Sequence, residues 1–138
     1  MKTIQELISI SLVRAAMIAI VAFLAGSVAR AEALTEIDVA AAAARIQGQQ
    51  IRVLDVREPS EFATGVIQGA VLMPLGQLEK RVAELDVFKD QPMLVVCGSG
   101  GRSAYAIKML TKHGFTRMQN IRGGMDAWRR AKLPVVAP

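Results

Sequence analysis

Cys97 is the only cysteine in the chain, and it heads a glycine-rich run, Cys97-Gly98-Ser99-Gly100-Gly101-Arg102-Ser103. An apolar run from Met93 to Val96 leads into it, and a helical pattern from Ser103 to His113 follows. The thiol therefore falls at the C-terminal end of a predicted strand, just before a helix N-terminus. Unpaired N–H groups and the helix dipole favour an anion there. Such a setting lowers a thiol's pKa, and the thiolate is the nucleophilic form. Gly98, Gly100 and Gly101 let the backbone curl with its N–H groups converging. The run predicts a cysteine nucleophile, Cys97, in an anion-binding cradle of Gly98, Ser99, Gly100, Gly101, Arg102 and Ser103. A buried, inert cysteine before an ordinary turn is the competing reading. It leaves the glycines, the arginine and the serine unexplained.

The elements that must position this loop alternate along the chain. Thr35 with Asp38 three residues on reads as a capping box, with Leu34 and Val39 as its hydrophobic staple. The helix they start runs through the alanines to Ile46 and ends at Gly48. Ile51–Val56, rich in β-branched residues, reads as a buried strand, and Pro59–Phe62 as a turn or short helix. Ala70–Met73 is a short predicted strand stopped by Pro74, and Leu78, Val82 and Leu85 mark one helix face. After the helix that follows the cysteine, Gly114 is the stop signal. Arg117–Ile121 reads as a last strand, and Gly123-Gly124 leads to a final helix carrying Trp128. Strands alternating with helices predict an α/β domain, a mainly parallel sheet with helices on both faces. Ligands of such sheets bind at the carboxyl ends of the strands, the edge where Cys97 falls.

Residues 1–31 read as a secretory signal peptide. Lys2 and Arg14 lie in the polar start, Ala15–Ala25 is uncharged and apolar, and Ala29-Arg30-Ala31 has the small-x-small pattern of a cleavage site. Cleavage after Ala31 leaves residues 32–138 as the folded domain, in the periplasm. The alternative is an uncleaved inner-membrane anchor facing the periplasm. The uncharged stretch Ala15–Ala29 is shorter than the ~20 residues of a spanning helix, which favours cleavage. The chain carries a net charge of +5, but Lys2, Arg14 and Arg30 belong to the segment that is removed. The remaining basic residues are scattered and aromatics are few, which argues against nucleic-acid binding. One cysteine makes no internal disulfide, and in an oxidising compartment a lone thiol is a liability unless buried or used. One cysteine and one histidine make no zinc site, so neither metal nor cofactor is expected.

From about Thr35 to Pro134 the chain resembles a single-domain rhodanese, a sulfurtransferase. Four stretches carry the resemblance in order: Leu54-Asp55-Val56-Arg57-Glu58-Pro59-Ser60-Glu61-Phe62, Gly65-Val66-Ile67-Gln68-Gly69-Ala70, Cys97 to Ser103, and Gly123-Gly124-Met125-Asp126-Ala127-Trp128. With the predicted signal peptide, it is most similar to small periplasmic rhodaneses. Related phosphatases and arsenate reductases have five residues between cysteine and arginine. Here there are four, a tighter ring that suits sulfur better than phosphate. The chain departs from the family at Val66, where a histidine is usual, and at Gly98, where many members carry a basic residue. Arg102 is then the loop's only charge, which puts the natural donor in question.

The resemblance implies that Cys97 takes sulfur from a sulfane donor such as thiosulfate as a persulfide. It then gives the sulfur to cyanide or a thiol, a protein acceptor included. This covalent catalysis in two half-steps implies ping-pong kinetics. Arg102 either attracts the donor's charge, braces the loop or is simply solvated. Ser103 is expected to be the helix N-cap. Asp55 and Arg57 either support the loop or form a strand-end ion pair. The ion pair is favoured, with Arg57 the nearer to the site. His113 is expected at a helix end and Trp128 in the core. The function classes in competition are a non-catalytic partner-binding module and a cysteine-dependent phosphatase or arsenate reductase.

Overall fold

The computed structural model describes residues 34–48 and 51–138. The predicted signal segment, residues 1–31, lies outside the described residues. Among the described residues, five strands form one sheet in the order β1-β5-β4-β2-β3. They are β1 Glu36–Ile37, β2 Arg52–Asp55, β3 Val71–Leu72, β4 Met93–Val96 and β5 Met118–Ile121, and every neighbouring pair is parallel. The helices are α1 Val39–Gln47, α2 Pro59–Phe62, α3 Leu75–Arg81, α4 Gly101–Lys112 and α5 Gly124–Arg130.

Parallel strands buried on both faces carry near-continuous apolar sequence, as β4 does: all four of its residues are buried. Side chains alternate across the sheet with period two. Leu54, Val56, Met93, Val95 and Cys97 pack on one face with Leu78 of α3 and Ala106, Ile107 and Leu110 of α4. Val53, Leu94 and Val96 pack on the other with Ala42 and Ala43 of α1 and Met125 and Trp128 of α5. The predicted α/β architecture, helices on both faces, is the observed one. Trp128 is a core residue, as expected, and its indole N–H donates to Pro134 O at 3.0 Å.

Three local expectations are corrected. Thr35 does not cap α1. Its backbone carbonyl accepts from Asn120 N–H at 2.9 Å, beside the two-residue strand β1. The N-cap is Asp38, whose Oδ1 accepts from Ala40 and Ala41 N–H at 3.0 and 2.9 Å. The helix through Leu78, Val82 and Leu85 is α-helical only to Arg81. A 3-10 stretch, Val82–Phe88, carries the rest, with Leu85 still buried. Ser103 does not cap α4. The N-cap is Gly100 at φ +110°, a left-handed conformation that glycine adopts without a Cβ clash, and Ser103 lies inside the first turn.

Candidate active site

β2 continues to β3 on one side of the sheet, and its neighbour β4 continues to β5 on the other. The chain thus reverses its direction of winding between β2 and β4, and the crevice beyond such a switch point is where open α/β sheets bind ligands. Cys97 follows β4 at that place, and the Arg57–Gly65 segment follows β2.

The Cys97 side chain is buried, and its Sγ accepts from Gly100 N–H at 3.1 Å. Ser103 Oγ lies 3.3 Å from Sγ. Burial acts to raise the thiol's pKa. The Ser103 hydroxyl and the Ser103, Gly100 and Ser99 backbone N–H groups outweigh it, so the net shift is downward. Ser99, Gly100 and Ser103 thus surround the sulfur with donors, and Ser103 contributes its hydroxyl here rather than a helix cap.

The loop is pinned from beneath by α5. Met125 N–H donates to Cys97 O at 2.8 Å and Asp126 N–H to Gly98 O at 2.9 Å, so these carbonyls face away from the thiolate pocket. The approach requires a glycine at 124. It has φ +56°, and a Cβ there would stand 2.5 Å from Gly98 O and closer still to Cys97 O. Gly124→Ala is therefore expected to push the loop off α5, lowering the melting temperature and raising the Cys97 pKa. Thermal unfolding and thiolate absorbance against pH read both effects. Unchanged values would contradict this account of the glycine pair.

Arg102 is ion-paired. Its Nη1 and Nη2 donate to Glu61 Oε2 and Oε1 at 2.6 and 2.8 Å, a bidentate pair lying against Gly98. The Arg102 guanidinium holds the Glu61 carboxyl down at about 2, and Glu61 in turn raises Arg102. Both side chains stay about one-third exposed, so the pair borders solvent at the mouth of the loop. Of the readings open for Arg102, the geometry matches bracing.

Asp55 and Arg57 form a fully buried ion pair at 2.7 Å. Arg57 Nε also donates to both Asp55 oxygens, and Nη1 and Nη2 donate to Glu61 O at 3.2 Å and Gly65 O at 2.9 Å. Arg57 thus fixes the segment that carries Glu61 without bonding to the cysteine loop. Asp55 and Arg57 are the strand-end pair, as favoured.

Sequence reasoning missed Glu61, Asn120 and Glu36. Ser103 Oγ lies 2.6 Å from Asn120 Oδ1, and Asn120 Nδ2 donates to Gly100 O and Glu36 Oε1, each at 3.2 Å. Glu61 also serves locally at the start of α2, where its Oε2 accepts from Glu58 N–H at 2.9 Å. Nothing along the chain links it to Arg102.

A parallel sheet flanked on both faces, with a cysteine loop at its switch point, defines a known class. The chain belongs to the rhodanese-like domain family, whose family model matches residues 38–131. It is 38% identical over 90 residues to a protein named Sulfurtransferase from Allochromatium vinosum, covering 65% of this chain and 82% of that one. It is 33% identical over 101 residues to Thiosulfate sulfurtransferase GlpE of Vibrio cholerae, covering 73% and 93%. A crystal structure of a rhodanese-related protein from Thermoplasma volcanium superposes with a TM-score of 0.69 at 31% identity, over 75% of this chain and 99% of that one. Sulfurtransferases among these relatives support sulfur transfer in general.

Proposed function

We propose that the protein is an exported sulfurtransferase that carries a sulfane sulfur on Cys97. The observation that carries this reading is the sulfur itself: the chain's one thiol, held at a strand end by Gly100 N–H and Ser103 Oγ. With thiosulfate as donor, the thiolate attacks the outer sulfur. The sulfur–sulfur bond breaks and its electron pair leaves with sulfite. The outer sulfur of the resulting persulfide is the electrophile for cyanide or a thiol. Attack there breaks the second sulfur–sulfur bond and returns the electron pair to Cys97 Sγ. Ser99, Gly100 and Ser103 supply the N–H groups that stabilise the anion in each half-step, and the Glu61–Arg102 pair holds the loop's mouth. No metal or cofactor takes part in this scheme.

The names of the relatives support thiosulfate as one donor. The engagement of Arg102 by Glu61 weakens its pull on a dianion, so donors with less charge also belong in the test. Export rests on residues 1–31 read as a signal peptide, with the periplasm as destination. Initial rates of thiocyanate formation with donor and cyanide both varied are expected to give parallel double-reciprocal lines. Intersecting lines would point to a ternary complex and overturn the two-step scheme.

A further inference from the structure

We infer that Asn120 is a positioning residue that sets the acidity of Cys97 by competing with its sulfur for the single proton of the Ser103 hydroxyl. The chain of contacts leaves little freedom. Ser103 Oγ has three acceptors within reach: Asn120 Oδ1 at 2.6 Å, Gly100 O at 3.1 Å and Cys97 Sγ at 3.3 Å. Gly100 O already receives Ala104 N–H at 3.2 Å and Asn120 Nδ2 at 3.2 Å, which fills both its lone pairs. The contest is therefore between the carboxamide oxygen and the sulfur. The amide cannot turn to end it. Its NH₂ faces two groups that only accept, Gly100 O and the Glu36 carboxylate, and Glu36 Oε2 is itself held by Arg122 Nε at 3.0 Å. Ser103 and Asn120 are both buried, so no bulk water relieves the shortage of donors.

The hydroxyl therefore has two settings. With Cys97 as a thiol, Ser103 O–H donates to Asn120 Oδ1, and the S–H can donate to Ser103 Oγ. With Cys97 as a thiolate, the charge draws the hydroxyl to Sγ and Asn120 Oδ1 loses its donor. Asn120 thus opposes the thiolate while Ser103 favours it. The consequence for turnover rests on the proposed function. In the persulfide the charge sits on the outer sulfur, so the hydroxyl returns to Asn120. When the acceptor takes that sulfur, the hydroxyl swings back to the departing Sγ thiolate. The other charges around the loop are Glu58, Glu61 and Arg102 on one side, Glu36 and Arg122 on the other, and Asp126 paired with Arg129 at the start of α5. The substitutions below remove none of these charges, and those at Asn120 also take its Nδ2 donor from Glu36 Oε1 and Gly100 O.

The test is the Cys97 titration by thiolate absorbance in the full chain. It is unambiguous because there is one cysteine. Ser103→Ala is expected to raise the Cys97 pKa by about one unit, and Asn120→Ala to lower it by about half a unit. In a Ser103→Ala background, Asn120→Ala is expected to leave it unmoved. Asn120→Leu, which keeps the volume, is read in parallel and has the same expected sign, with thermal unfolding reporting the fold of each variant. A rise in pKa for Asn120→Ala and Asn120→Leu, or the same shift with and without the Ser103 hydroxyl, would overturn the inference. The titration needs no sulfur donor, so its outcome is independent of whether the sulfur-carrier reading holds.

Discussion

Cys97→Ser is expected to reduce thiocyanate formation by at least about 10³-fold, to the uncatalysed background. The loss follows from the atom and not from the fold. A serine oxygen occupies nearly the same place and keeps Gly100 N–H and Ser103 Oγ as neighbours. Its hydroxyl is too weak an acid to form the anion that the loop stabilises, and it makes no bond to sulfur that a thiophilic acceptor reopens. The side chain is buried and contributes little apolar area that serine would forfeit, so the melting temperature is expected to stay within a few degrees of the native value. Turnover surviving in this variant would remove Cys97 from the mechanism.

The largest expected effect on stability lies beneath the loop. Arg57→Met removes the cation paired with a carboxylate that is fully buried. It also strips donors from Glu61 O and Gly65 O. Losing one partner of such a pair costs about 3–5 kcal/mol, because the remaining charge has no solvent. Domains of this size hold about 5–15 kcal/mol in total, so the variant should be close to unfolding at moderate urea. Asp55→Leu in the same chain is expected to recover part of the loss by removing the stranded charge. Urea denaturation of the single and double variants checks both statements. A single-variant shift below about 1 kcal/mol would mean that Asp55 finds another partner or becomes neutral without strain.

What the sequence revealed tracks how local each signal is. β4 was readable to the residue because an unbroken apolar run is what a strand buried on both faces requires. α5 was legible through Gly123-Gly124: both have left-handed φ values, Gly124 lies tight against Cys97 and Gly98, and Gly123 tight against Ala127. β1 was hidden because two residues carry no periodicity, and its pairing with β5 is a tertiary fact. That hidden strand moved the cap from Thr35 to Asp38. The misplacement of Ser103 has a similar cause. Glycine seldom advertises itself as an N-cap, so the helix pattern points to Ser103, the hydroxyl at its head, while Gly100 holds the position by backbone conformation alone. Arg102 could not be assigned from the loop, since its partner Glu61 is 41 residues away in sequence. Asn120 was silent for the same reason. It is a polar residue in a strand, and only the folded sheet brings it to Ser103.

The central claim is that Cys97 carries the transferred sulfur, and the intact mass of the protein tests it most directly. Full-length protein is mixed with thiosulfate and, in parallel, with a low-molecular-weight persulfide, then weighed before and after cyanide. The account predicts a gain of one sulfur atom with at least one donor, its loss on adding cyanide, and no gain in Cys97→Ser. Thiocyanate formed without any sulfur-bearing protein, or a folded native protein that takes sulfur from neither donor, would contradict it.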